Sequence, residues 1–162
     1  MSVFLKTSGA TGIHLYLPLK PVYTYEQVRM FAEIVARVVT AEHPGLVTNE
    51  RTVAKRPAGR VLIDVQQNAQ GRPLAAPYAI RAFPGAPVST PLLPTELRTS
   101  LKPEKLNIET MHERLKEKGD LWADFWRQRQ GLEDSINRLS GKVEFATYPA
   151  KNVLPTNSKL VK

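Results

Sequence analysis

Apolar positions at the start of the chain bracket a polar turn. Val3, Phe4 and Leu5 precede Thr7-Ser8-Gly9-Ala10-Thr11-Gly12, and Ile13, Leu15, Leu17 and Leu19 follow it with His14 and Tyr16 between them. A period of two on both sides of two glycines predicts strand, tight turn, strand. The period then changes. Thr24 with Gln27 three residues on makes a capping box, and Val28, Phe31, Ile34, Val35, Val38 and Val39 form an apolar stripe at helical spacing, predicting a helix from Tyr25 to Glu42 that packs on the sheet and stops at His43-Pro44-Gly45. Leu46 to Arg60 is charged, broken by Pro57 and Gly59, and reads as an exposed loop. Val61-Leu62-Ile63-Asp64-Val65 has the near-continuous apolar pattern of a buried central strand.

Beyond the polar turn Gln66–Gly71, Ala76–Phe83 reads as a further strand, its Pro77 marking an edge or a start, and Pro84–Pro91 as an irregular bend with three prolines. Pro94–Leu101 predicts a short helix. Ile108–Thr110 reads as extended, with Thr110 capping a helix through Lys118 that Gly119 ends. Asp120 opens a longer amphipathic segment through Leu139, interrupted at Gly131, in which Trp122 and Trp126 share a core-facing side with Leu121 and Phe125. Residues 141–162, with Lys142, Lys151, Lys159 and Lys162 against Glu144, read as a flexible basic tail. These elements predict an α+β fold, a mainly antiparallel sheet with flanking helices, as one main domain over 1–140.

Composition narrows the chemistry. The 162 residues contain no cysteine, which removes disulfides, thiolate catalysis and cysteine-ligated metal centres. No apolar run approaches the ~20 residues of a membrane helix, and no secretory pattern opens the chain, so a soluble cytoplasmic protein with no membrane partner is expected. Lys and Arg outnumber Asp and Glu by 23 to 15, a formal charge of +8 that favours polyanions such as nucleic acid or nucleotides. Six of the basic residues, Arg51, Lys55, Arg56, Arg60, Arg72 and Arg81, fall between Thr48 and Arg81 against only Glu50 and Asp64. Taken alone, that cluster reads as a solvated basic loop.

Two places carry candidate chemistry. At the first turn, Gly9 and Gly12 can take positive φ and lack a Cβ, so backbone N–H groups can face one anion-sized space, with the Ser8 hydroxyl and the His14 imidazole as further donors. The same residues equally describe an ordinary hairpin bend. At the second, Asp64 sits inside an apolar run, where a carboxylate is costly unless it binds a metal or pairs with a cation. The residues leave both readings open, functional ligand or partner of a neighbouring arginine.

Three segments in order, Ser-Gly-Ala-Thr-Gly-Ile-His-Leu-Tyr (8–16), Val-Leu-Ile-Asp-Val-Gln-Gln-Asn-Ala-Gln-Gly (61–71) and Ala-Pro-Tyr-Ala-Ile-Arg-Ala-Phe-Pro-Gly-Ala-Pro-Val-Ser-Thr-Pro-Leu (76–92), resemble the polymerase domain of bacterial ligase D, of the archaeo-eukaryotic primase superfamily. The resemblance covers about Val3 to Leu132, the carboxy-terminal portion of that domain, and implies a partial RRM-like primase-polymerase fold. It implies nucleotidyl transfer from an NTP or dNTP to a DNA primer end in non-homologous end joining, in a bacterial cytoplasm near the nucleoid. It further implies that Ser8, Gly9, Gly12 and His14 grip the triphosphate with Arg81, that Gln67 and Arg56 or Lys55 assist, and that Asp64 is a catalytic ligand of Mg²⁺ or Mn²⁺. Such a metal pair activates the attacking hydroxyl and stabilises the leaving pyrophosphate.

Two departures bear on activity. Thr11 stands where the family often has Lys or Arg, and no Asp-x-Asp, the family's other metal-binding element, occurs anywhere in the sequence. Only seven residues precede Ser8, so a hairpin so close to the first residue is either very compact or lacks something upstream. The expectation is a chain inactive alone that works with a separate amino-terminal polymerase half, a ligase and an end-binding protein on DNA ends. The alternative is a non-catalytic nucleotide- or DNA-binding module.

Overall fold

The computed structural model describes residues 1–139, so the predicted tail at 141–162 lies outside the described residues. In chain order the elements are β1 (Phe4–Thr7), β2 (Ile13–Tyr16), α1 (Tyr25–Glu42), β3 (Val47–Thr48), β4 (Val61–Leu62), β5 (Pro91–Leu92), α2 (Ile108–Lys118) and α3 (Glu133–Leu139), with 3-10 turns at Val53–Lys55, Pro94–Glu96, Pro103–Lys105 and Phe125–Gln128. They fall into two compact units, one of Met1–Leu19 with Leu74–Gln130, the other of Lys20–Pro73 with the described residues from Gly131 to Leu139.

The first unit is organised on an antiparallel sheet in the order β2-β1-β5. Phe4 pairs with Tyr16 and Lys6 with His14, so these four side chains share one face, while Leu5 pairs with Leu15 on the other. An aromatic cluster covers the Phe4 and Tyr16 end of that shared face. Trp122 and Phe125 stack with centroids 5.0 Å apart, and both meet Phe4 edge-on at 5.7 and 5.0 Å. The Trp122 indole N–H also donates to the Leu5 carbonyl at 3.2 Å. Beyond β5, the Thr7 amide still donates to the Thr90 carbonyl at 2.9 Å, so Val88 to Leu92 runs buried along the central strand. What reads from sequence as the end of an irregular bend is therefore an edge strand, a place where Pro91 loses nothing by lacking an N–H.

Helix α2 is tied to that edge. Arg114 donates both guanidinium nitrogens to Glu96 at 2.7 Å and reaches the Pro91 carbonyl at 2.8 Å. The bond from Arg114 is the main reason the Glu96 carboxyl lies below its usual pKa. The helix begins one turn earlier than its sequence suggests. Asn107, not Thr110, is the cap, its side chain accepting from the amides of Glu109 and Thr110, while Thr110 bonds back to the Asn107 amide. Gly119 ends it with φ 66°, as expected.

The second unit holds α1 as predicted, from Tyr25 to Glu42 with both arms of the Thr24–Gln27 capping box formed. Its buried side, Phe31, Ile34 and Val38, lies in a core with Leu132 and Ile136, and α1 contacts α3 and the short parallel pair β3–β4. The start of α3 is fixed by Tyr23, whose hydroxyl donates to Glu133 at 2.8 Å and accepts from the Leu132 amide at 2.9 Å.

Three predicted elements are corrected. The run Val61–Val65 is not a buried central strand: only Val61 and Leu62 are extended, paired with β3, and Val61 is 67% exposed. Ala76–Phe83 makes no strand but a loop with one bridge, Ile80 to Val88, and Tyr78 at φ 63°. The segment from Asp120 is interrupted before α3, as expected at Gly131, but its first part is a turn and a 3-10 turn rather than an amphipathic stretch, and it ends with the Gln130 amide committed to the Pro18 carbonyl at 3.0 Å in a bridge beside Leu19. Trp126 accordingly leaves the core and is 68% exposed.

Candidate functional site

The turn between β1 and β2 closes on itself. Ser8 donates its amide to the Gly12 carbonyl at 2.8 Å, and its Oγ accepts the amides of Ala10 at 3.1 Å and Gly12 at 3.0 Å. This corrects part of the predicted phosphate cradle, because those two amides point inward at Ser8 rather than outward. Having accepted two N–H bonds, the Ser8 hydroxyl keeps its own proton to donate.

Gly9 has the positive φ expected of it, 70°, while Gly12 is not among the positive-φ residues. The need for glycine at position 9 is also steric. A Cβ there would lie 2.4 Å from the Arg81 Cγ and 3.1 Å from the Ser89 amide nitrogen. Arg81 crosses the turn at that point, donating to the Ser8 carbonyl at 3.4 Å, and its own amide is fixed to the Pro87 carbonyl at 2.8 Å.

One strand position away, His14 is half-buried, with Nδ1 3.1 Å from Nζ of Lys6. Burial, followed by the charges of Lys6 and Arg81, pushes the imidazole below its usual pKa. Lys6 is fully buried, bonded also to Ser89 Oγ and to the Thr7 carbonyl at 3.3 Å, and burial with the nearby Arg81 lowers its pKa to about 8. Among the described residues no carboxylate forms an ion pair with Lys6 or Arg81. The first unit thus brings Ser8, Gly9, His14 and Arg81 together, with Gly12 closing the turn. It adds Lys6 and Ser89, which sequence reading missed. The signal for Lys6 was its place in the alternation, two residues from Phe4 and on the same face.

The remaining predicted residues belong to the second unit. Asp64 is exposed, with Oδ1 accepting from Arg51 at 2.9 Å and from the Gln66 amide at 3.0 Å. Of the two readings left open, the arginine partner is the one observed here. Arg56 is held by its own loop, donating to the carbonyls of Glu50 and Arg51 at 3.1 Å each, and Gln67 is exposed on the turn after Asp64. No group of three or more Asp, Glu, His or Cys able to hold a metal ion occurs among the described residues. A single exposed carboxylate already engaged by Arg51 does not fit the two-ion centre that the resemblance implies.

The first unit is thus an antiparallel α+β arrangement that carries, at a serine-glycine turn, a cationic cluster with no described carboxylate paired to it. The chain belongs to the LigD primase-polymerase domain family, whose model matches residues 1–122. It is 36% identical over 140 residues to the bifunctional non-homologous end joining protein LigD of Bacillus subtilis, covering 85% of this chain and 23% of that protein. It is 30% identical over 148 residues to the multifunctional LigD of Pseudomonas aeruginosa, covering 88% of this chain and 17% of that one. The solved polymerase domain of Mycobacterium tuberculosis ligase D, in complex with DNA, superposes with a TM-score of 0.71 at 30% identity, over 79% of this chain and 44% of that one. This chain therefore spans less than a quarter of the length of these curated relatives and under half of the solved domain.

Proposed function

We propose that this chain forms the carboxy-terminal portion of a LigD-type repair polymerase and grips the triphosphate of an incoming NTP or dNTP through Ser8, His14 and Arg81. The observation that carries this reading is the cationic cluster itself: Lys6 and Arg81 flank His14 with no described carboxylate to neutralise them, in a family whose relatives are named for end joining. An arginine fork and a serine hydroxyl are suited to phosphate oxygens. Nucleotidyl transfer needs divalent Mg²⁺ or Mn²⁺, and the described residues do not supply the carboxylates to hold a pair of them. In this reading the remaining ligands come from an amino-terminal polymerase half, and the assembly works on DNA ends with a ligase and an end-binding protein. In that assembly Asp64 would exchange Arg51 for metal, with Gln67 and Arg56 beside it.

Reconstitution tests this. Adding an amino-terminal LigD polymerase half in trans is expected to produce Mn²⁺-dependent addition of a ribonucleotide to a primed DNA end, abolished by Asp64→Ala. Full activity with Asp64→Ala removes that residue from the metal centre. A second reading, a binding module without chemistry, is favoured by the surface pairing of Asp64 with Arg51, and absence of any incorporation alongside retained nucleotide binding would select it.

A further inference from the structure

Among the described residues Lys6 is the only charged side chain that is buried. An ammonium taken out of water is costly, and here it meets no carboxylate to offset the cost. Its three protons have three acceptors instead: the Thr7 carbonyl at 3.3 Å, Ser89 Oγ, and Nδ1 of His14 at 3.1 Å. Ser89 in turn donates to the Thr7 carbonyl at 2.9 Å, so the hydroxyl is held as an acceptor toward Lys6. The other groups facing Lys6 are the Tyr16 ring, 5.6 Å from Nζ, and the positive Arg81, neither of which accepts a proton from it.

An ammonium can only donate, so Nδ1 of His14 can only accept. A neutral imidazole whose Nδ1 accepts carries its proton on Nε2. We propose that Lys6 is a positioning residue for phosphate recognition, holding His14 as the neutral Nε2–H tautomer so that this N–H donates to a triphosphate oxygen beside Ser8 and Arg81. The role rests on the triphosphate grip proposed above and explains why a cation is buried there at all. The missing countercharge is the ligand's, and a merely structural position would be filled better by an apolar side chain of the same length. Because His14 acts while neutral, binding does not wait on its protonation. It weakens when Lys6 loses its proton, near pH 8, since a neutral amine can turn and accept from Nδ1–H.

The test uses the full chain labelled with ¹⁵N-histidine and inorganic triphosphate as the probe. Long-range ¹H–¹⁵N correlation spectra at pH 7 are expected to show His14 as Nε2–H in the unmodified protein, an observation that needs no variant. Lys6→Met is expected to populate Nδ1–H and to weaken triphosphate binding in calorimetry by about tenfold, the scale of one hydrogen bond to a charged group. In a His14→Ala background the same substitution should cost several-fold less than in the unmodified protein, because Lys6 then has no ring to orient and only its charge is lost. A wild-type Nδ1–H tautomer, or an equal loss in both backgrounds, overturns the positioning role alone. A wild-type chain that binds no triphosphate overturns the grip, and the recognition role with it.

Discussion

Gly9 sits at φ 70° with the Arg81 side chain lying across the space a Cβ would need. Gly9→Ala therefore carries two penalties, a left-handed backbone and a clash with the arginine, and a loss of about 1–3 kcal/mol is expected in denaturant unfolding. Triphosphate affinity should fall with it, because the Arg81 side chain must shift to make room for the added Cβ. Lys6 makes a prediction of a different kind. Its pKa is about 8 in the folded chain against 10.5 unfolded, so above pH 8 the unfolded state binds more protons and stability rises with pH. The gain between pH 8 and pH 10 is about 2 kcal/mol relative to Lys6→Met, read from urea midpoints across that range. Above pH 10 the slope turns over, since burial raises the phenols of Tyr16, Tyr23 and Tyr78 and the folded chain then holds more protons.

At the scale of elements, local signals were legible where the partners are close in sequence. Both ends of α1 follow from Thr24, Gln27 and His43-Pro44-Gly45, whose bonds span three or four residues. The same reading placed the break at Gly131 but misjudged Asp120–Gln130 as amphipathic, a stretch whose end is tied by Gln130 to Pro18, over a hundred residues away. Trp122 and Trp126 look equivalent at a spacing of four only if that segment is one helix. In the fold, Trp122 meets Phe4, Tyr16 and Phe125, whereas Trp126 is exposed beneath the Arg129 guanidinium, 5.3 Å from its ring centre. Trp122→Ala is expected to cost about 3 kcal/mol or more and Trp126→Ala under about 1 kcal/mol, a contrast that paired thermal unfolding curves measure.

For the whole molecule, charge is the property that needs no coordinates. With a formal charge of +8, the proposed role on DNA ends predicts an affinity set by phosphate contacts and released counterions, so log affinity should fall linearly with log salt, by about 0.7 to 0.9 per phosphate neutralised. Fluorescence anisotropy of a labelled oligonucleotide across a salt series measures that slope, and a flat line would mean that the excess charge does not face nucleic acid. Family membership was equally legible, since the 8–16, 61–71 and 76–92 segments are contiguous strings and the match over residues 1–122 agrees with them.

Sequence by itself determined the opening hairpin, the span and caps of α1, the α+β class, the basic charge and the family, all set by neighbours along the chain or by composition. Only the tertiary structure decided that the centre of the sheet is β1 rather than the Val61 run, that Asp64 faces Arg51 at the surface, and that Lys6 is buried against Ser89 and His14. The reason is range. Lys6 and Ser89 are 83 residues apart and Arg81 reaches Ser8 across 73, and alternation can put Lys6 on the face of Phe4 without saying which distant residue it meets there.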